Sequence, residues 1–316
     1  MRFHKKQKEM IRKKSWGIVL SGIVILNIGI IALLITGSTA DGESEIVRME
    51  TPMVFKSVEI PNSVTFAGEE IPLEKFDVKE ALDRELLSNA YFHSQTIRYI
   101  KLAPRYFPVI EPILKDMGIP DDFKYLAVAE SGFNPRAASP AGAVGFWQFL
   151  KGTGQQYGLE INNEIDERYH IEKSTVAACK YLRDAYNKYG NWTLAAASYN
   201  GGMARVESQQ TRQKMTEYYD LLFVEETQRY VFRIVALKLI MENPKQYNFV
   251  VHEDEKYPFI KTREVEINWA VKNFADFAIE QGINYKFLKD FNPWLRDDKL
   301  TNAAGKKYTV KIPVLK

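Results

Sequence analysis

The sequence predicts a mainly α-helical protein with a small α+β appendage at its C-terminal end and one N-terminal transmembrane helix. Three observations carry this reading. Apolar residues recur at helical spacing from residue 76 to about 243, where strand signals are weak. Past Pro244 the pattern changes to short alternating segments. Residues 16–36 form 21 consecutive uncharged, mostly apolar positions.

At a 1.5 Å rise per residue, the run from Trp16 to Thr36 is long enough to cross roughly 30 Å of hydrocarbon. Arg2, Lys5, Lys6, Lys8, Arg12, Lys13 and Lys14 precede it, which makes residues 1–15 a cytoplasmic basic tail and sends the chain beyond residue 40 outward. Gly37-Ser38-Thr39-Ala40 would suit a signal peptidase, but the apolar region of a cleaved signal runs to only about 15 residues, so an uncleaved anchor is favoured. No cysteine lies near this segment, which excludes a lipid-modified N-terminus.

The formal net charge of +3 comes from that basic tail. Without the first fourteen residues the chain holds 36 basic and 39 acidic side chains, a balance that gives no reason to expect a nucleic-acid partner. The single Cys179 can form no intramolecular disulfide and sits in a helical pattern as a small core residue. The four histidines are scattered without ligand spacing, so neither a metal centre nor a Cys-His nucleophile is expected, and no motif calls for a cofactor.

Residues 37–75 are polar, broken by Pro52, Pro61 and Pro72, and read as a linker. A helix is expected over 76–99 with Val78, Leu82 and Leu86 on one side, and a second over 106–117 after Pro104. Further helices are expected over 174–188, 192–200 and 225–241, completing a main domain of residues 76–246. In the remaining 247–316, residues 247–251 and 307–312 alternate like short strands around a helix over 269–280.

Within the main domain, Phe123, Leu126, Ala127 and Glu130 stand at i, i+3, i+4 and i+7 and share a helix face. Asp121 or Asp122 could cap this helix, and Gly132 with Pro135 ends it just after the glutamate. A carboxylate at the end of an apolar stripe loses water, which favours its protonated form and suits a general acid near neutral pH. The loop that follows places Phe133, Phe146 and Trp147 beside Gln148, offering flat faces and an amide of the kind a sugar needs. Ser198-Tyr199-Asn200-Gly201-Gly202 and Glu226-Thr227-Gln228-Arg229-Tyr230 leave further polar tips at helix ends.

These motifs, in this order, resemble the catalytic domain of the lytic murein transglycosylases related to goose-type lysozyme, over residues 102 to 246. Within that family the pattern is similar to the membrane-bound lytic transglycosylase D subgroup. Glu130-Ser131 stands first; Gly145-Phe146-Trp147-Gln148 departs from the subgroup's Gly-Leu-Trp-Gln only at Phe146; Ser198-Tyr199-Asn200-Gly201-Gly202 and Glu226-Thr227-Gln228-Arg229-Tyr230-Val231 follow. The resemblance implies a lysozyme-like helical fold and cleavage of the β-1,4 bond between N-acetylmuramic acid and N-acetylglucosamine in peptidoglycan, with a 1,6-anhydro product. It implies Glu130 as acid and then base, with Ser131, Phe146, Trp147, Gln148, Tyr199, Asn200 and Tyr230 as substrate-binding residues. Tyr199 and Gln148 are expected nearest to Glu130 and the substrate acetamide. It also implies a periplasmic catalytic domain tethered to the cytoplasmic membrane through residues 16–36.

Residues from about 265 to 313 resemble a divergent LysM module, which implies either glycan binding or a packing role. Two alternatives remain open from the residues themselves. One is a hydrolytic muramidase that draws a second carboxylate from Glu160, Glu164, Asp166 or Glu167. The other is a non-catalytic, membrane-tethered glycan-binding scaffold.

Overall fold

The computed structural model describes residues 56–314. The expected anchor, the basic tail and the first part of the expected linker lie outside the described residues. Among the described residues no helix is long and apolar enough to cross a membrane.

A two-residue hairpin, β1 (Thr65–Phe66) and β2 (Glu69–Glu70), precedes the helical body. The body comprises α1 (Phe76–Tyr91), α2 (His93–Asp116), α3 (Lys124–Ser131), α4 (Lys151–Gln156), α5 (Ile171–Tyr189), α6 (Trp192–Gly201), α7 (Met203–Gln213) and α8 (Glu225–Glu242). The C-terminal module follows as β3 (Thr262–Ile267), α9 (Phe274–Glu280), α10 (Tyr285–Phe291) and β4 (Tyr308–Pro313). Strands β3 and β4 pair antiparallel from Thr262 opposite Pro313 to Ile267 opposite Tyr308. The first core gathers around α8, which packs against α1, α3 and α6, while α5 packs against α2 and α6. The module closes a second core of its own around Phe274, Leu288, Trp294 and Val310.

Sequence and packing agree closely in the middle of the body. Val78, Leu82 and Leu86 are buried on α1, as expected. The alanine run Ala195, Ala196 and Ala197 is wholly buried and lets α6 come close to α8: a Cβ on Gly201 would stand 3.2 Å from Thr227. Asn191 caps α6 by accepting from the Leu194 amide at 2.7 Å, and Gly190 ends α5 in the left-handed region.

Four expectations are corrected. The break falls at Phe92 rather than near Pro104, and α2 runs on through Pro104, Pro108 and Pro112. Each interior proline removes a backbone donor at a cost of about 3 kcal/mol. Their spacing of four keeps all three interruptions on one stripe, while Ile100, Ile110 and Leu114 bury another side of the helix. The alternating residues 247–251 form no strand; β4 takes Thr262–Ile267 as its partner instead. Neither Asp121 nor Asp122 caps α3, which is entered through a 3-10 turn. Asp121 pairs with Lys124, and Asp122 accepts from the Ala67 amide and the Lys238 ammonium, each at 2.7 Å.

Finally, the described part of the expected linker is not a free tether. Val64, Phe66 and Ile71 are buried in the main core, because their spacing across a tight turn gives the hairpin one apolar face. Glu69 reaches over to the start of α6, where its carboxylate accepts from the amides of Trp192 at 2.5 Å and Thr193 at 2.9 Å and from the Thr193 hydroxyl at 2.7 Å. An anion there satisfies orphan donors and complements the helix dipole. Glu69→Ala is therefore expected to lower stability by about 1–2 kcal/mol, read from urea denaturation midpoints. A change below about 0.3 kcal/mol would return this segment to the role of a passive tether.

Candidate active site

Helix α3 is short, and its apolar positions Leu126, Ala127 and Val128 are fully buried. It stops because Gly132 turns into the left-handed region at φ +56°, with its amide donating to Val128 O. Only glycine fits there, since a Cβ would meet the Tyr99 ring at 2.8 Å. Glu130 is thereby fixed one residue before the end of α3, partly exposed, against α8.

There the Tyr230 hydroxyl donates a hydrogen bond to Glu130 Oε1. Desolvation pushes the Glu130 carboxyl up to about 7; the Tyr230 bond and the Arg233 charge pull in the opposite direction without reversing it. Tyr230 is buried, and its phenol is raised well above its ordinary value by burial and by the carboxylate beside it. The pair thus holds an acid whose protonated form is favoured well above the usual carboxylate range, with a proton donor that does not itself ionise there.

Tyr199 stands behind this pair. Its hydroxyl donates to Trp147 O at 2.8 Å, and burial together with the Glu130 charge raises it well above the ordinary phenol range. Gln148 adopts φ +48°, and its Nε2 donates to Gly145 O at 2.9 Å and to Ala137 O at 3.3 Å. Its amide oxygen has no partner among the described residues. Asn200 Oδ1 accepts from the Thr227 hydroxyl at 2.8 Å, which links the end of α6 to the start of α8. Ser131 turns back on its own helix, its hydroxyl donating to Ala127 O at 3.0 Å.

Two expected substrate contacts are corrected. Phe146 and Trp147 are 1% and 0% exposed and present no face to a ligand. Phe146 packs edge-on against Tyr106, and the Trp147 indole donates to Thr175 Oγ1 at 2.8 Å. Phe133 is buried in the same way. These rings stiffen the loop that carries Gln148; the apolar residues of a helical core outcompete the surface for large aromatics. The expectation that Tyr199 is nearest to Glu130 is also revised, because the direct bond comes from Tyr230.

The sequence reading missed the support beneath Tyr230. Glu85 of α1 is 1% exposed and accepts from Arg229 Nε at 2.5 Å, with Arg233 Nε at 3.7 Å. Arg233 also holds Glu226 at 2.8 Å. Arg229 and Arg233 flank Tyr230 on α8, and two arginines four residues apart facing an apolar helix were the available signal. The acidic segment after the loop is committed elsewhere. Glu160 binds Lys306 and Tyr308, Glu164 binds Thr301, Asp166 binds Arg168, and Glu167 binds Lys173. Cys179 is buried, with its thiol pushed up to about 12 by burial, and serves packing.

Comparison with known proteins adds to this geometry. Residues 108–222 match the Transglycosylase SLT domain, and residues 263–316 match the Soluble lytic transglycosylase C-terminal LysM-like domain. The chain is 29% identical over 253 residues to Membrane-bound lytic murein transglycosylase D of Escherichia coli K12, covering 78% of this chain and 54% of that protein. It is 35% identical over 92 residues to Peptidoglycan transglycosylase gp16 of Escherichia phage T7, covering 28% of this chain and 7% of that protein. The chain therefore spans about half the length of the first of these relatives. Among solved structures, the 70 kDa soluble lytic transglycosylase from Escherichia coli aligns with a TM-score of 0.39 and 22% identity, covering 44% of this chain and 24% of that one. Glu130, Gln148 and Tyr199 all fall within the region that matches the Transglycosylase SLT domain, and strand β4 of the C-terminal module falls within the region that matches the LysM-like domain.

Proposed function

We propose that this protein is a lytic transglycosylase that cuts the β-1,4 bond between N-acetylmuramic acid and N-acetylglucosamine in peptidoglycan, with Glu130 as acid and then base. The observation that carries this reading is the Glu130 carboxyl, which lies inside the matched region, is pushed up to about 7 and is held by Tyr230 just beyond that region. Protonated Glu130 gives its proton to the leaving oxygen as positive charge develops at the muramyl C1. The resulting carboxylate, steadied by the Tyr230 hydroxyl, takes the proton of the muramyl C6 hydroxyl. That oxygen bonds to C1, closing the 1,6-anhydro ring and returning Glu130 to its protonated state. One carboxyl suffices because the substrate supplies its own nucleophile.

The Gln148 amide oxygen and the Asn200 amide are the polar groups left to meet the sugar acetamide and hydroxyls. Residues 76–246, with the hairpin before them, form the catalytic domain in this reading, and residues 16–36 tether it on the periplasmic side of the cytoplasmic membrane. The name of the Escherichia coli relative supports a membrane-bound setting. A hydrolytic muramidase is disfavoured because Glu160, Glu164, Asp166 and Glu167 are held by other groups. The presence of Glu130, partly exposed and bonded to Tyr230, disfavours a non-catalytic scaffold.

Mass spectrometry of muropeptides released from purified peptidoglycan tests the reaction. Products ending in 1,6-anhydro-muramic acid are expected, and Glu130→Gln should lower their release by about 10³-fold or more. Reducing-end products one water heavier would make the enzyme a hydrolase. The rate should fall as pH rises through about 7, where the acid loses its proton. Tyr230→Phe removes a bond that favours the carboxylate, so that alkaline limb should move to higher pH while the maximal rate drops. An unmoved limb would remove Tyr230 from the ionisation of Glu130.

A stability measurement checks the same carboxyl without substrate. Its folded value lies above the ordinary 4.5, so its contribution is full below 4.5 and is lost as pH rises to about 7. Glu130→Gln should therefore raise the melting temperature relative to wild type at pH 8. The difference should vanish below pH of about 4.5.

A further inference from the structure

Among the described residues, Glu85 is the most deeply buried carboxylate, and the proposed reaction makes no use of it. It stands on α1, outside the matched residues 108–222. Arg229 Nε donates to its Oε1 at 2.5 Å, and Arg233 Nε lies 3.7 Å from its Oε2. The two arginines are one turn apart on α8, so a single carboxyl of α1 draws both toward its own side.

Arg233 is the member of this cluster that stands next to the chemistry. Glu226, Tyr230 and Arg233 lie at i, i+4 and i+7 of α8 and share one face. Tyr230 bonds Glu130, and helix residues three apart have Cβ atoms about 5–6 Å from each other, so Arg233 is a close neighbour of that bond. Its guanidinium is held on two edges. Nη1 and Nη2 donate to the two oxygens of Glu226 at 2.8 and 3.5 Å, while Nε faces Glu85. Among the described residues no hydrogen bond joins it to Glu130. The Glu226 side chain is 59% exposed, so water competes for that pair. Glu85 is 1% exposed, and its contact is the one that solvent does not weaken. A guanidinium released from both edges could turn onto Glu130, where it would favour the carboxylate and strip the proton that the reaction spends.

We infer that Glu85 is a positioning residue for the reaction: it holds Arg233 toward α1 and so keeps a cation off Glu130. The inference rests on the reading of Glu130 as the acid. The charged and titratable groups around Glu130 are Tyr230, Arg233 and Glu226 from α8 and Tyr199 from α6, while α2 brings Tyr99 against the glycine that ends α3. Arg233 is the cation of this set, and it already pulls the Glu130 carboxyl downward from where it is held. Where its guanidinium rests therefore decides how firmly Glu130 keeps its proton.

Two readouts on the full chain in detergent test this. One is the titration of Glu130 itself, followed by carbon NMR of glutamate-labelled protein, with Glu130→Gln identifying its resonance. The other is the pH profile of anhydro-product release from purified peptidoglycan. Glu85→Gln is expected to move the Glu130 midpoint and the alkaline limb to lower pH by about 0.5–1 unit, since a cation brought closer lowers a carboxyl. Arg233→Gln should move both to higher pH, and in that background Glu85→Gln should move neither. A merely structural role would lower the melting temperature of Glu85→Gln and leave the midpoint in place. Breaking a buried pair can unfold a chain, so Glu85→Asp is the milder variant. It draws the carboxyl back by one methylene from Arg233 and should shift the midpoint in the same direction by less. An unmoved midpoint in a folded Glu85 variant, or an equal shift once Arg233 is gone, would overturn the assignment. A moved midpoint without anhydro products would uphold the coupling and refute the reading of Glu130 as the acid. An active enzyme with an unmoved midpoint would do the reverse.

Discussion

The seating of α3 against α8 is the contact on which the chemistry of this molecule depends. It sets a carboxyl beside a phenol in surroundings too poor in water to favour the charged form, and it does so with one short helix. The local determinants are simple: a buried apolar stripe to press the helix inward and a left-handed glycine to end it at once. A longer α3 would carry the chain past α8 instead of turning it into the loop that supplies Gln148.

Helix α8 can serve as that wall because it is itself held from the far side. Glu85 draws Arg229 and Arg233 onto α1, so the stretch of α8 bearing Tyr230 is fixed by charge on one side and by α6 on another. A buried carboxylate is costly unless it is well paired, and two guanidinium groups supply that pairing. The arrangement separates two carboxylates of opposite character. Glu85 is shared by two guanidinium groups, whereas Glu130 is bonded by a phenol and favours its proton. Arg233 touches both environments, which explains why its charge moderates the Glu130 carboxyl.

Much of this was legible in the residues. Helical periodicity located α1, α5, α6 and α8, and the break at Gly132 placed Glu130 at a helix end. The motif around Tyr230 signalled a site residue, though not that it would be the direct partner of Glu130. Aromatic residues misled because chemical type does not reveal exposure: Phe146 and Trp147 suit a sugar and suit a core equally, and the core took them. Prolines misled in α2, where regular spacing lets a helix tolerate what a single proline would signal as a break. Glu69 and Glu85 were unreadable as helix cap and buried anchor, since each acts on a partner more than a hundred residues away.

Arg168 has a consequence of a different sort. Its guanidinium donates to Gly142 O at 3.2 Å and Phe149 O at 3.1 Å while gripping Asp166, and its own carbonyl lies where a Cβ on Gly145 would be, 2.0 Å away. On the other side of the same segment, the Asp166 amide donates to Trp294 O at 2.9 Å and Glu164 O accepts from the Arg296 amide at 2.8 Å. The strip from Glu164 to Arg168 is therefore fastened on both faces, to the loop of Gln148 and to the C-terminal module. Such a strip has no slack. Sequence drift can exchange its outward side chains, but an inserted or deleted residue would unfasten one face or the other, so its length is the part of this fold least free to evolve.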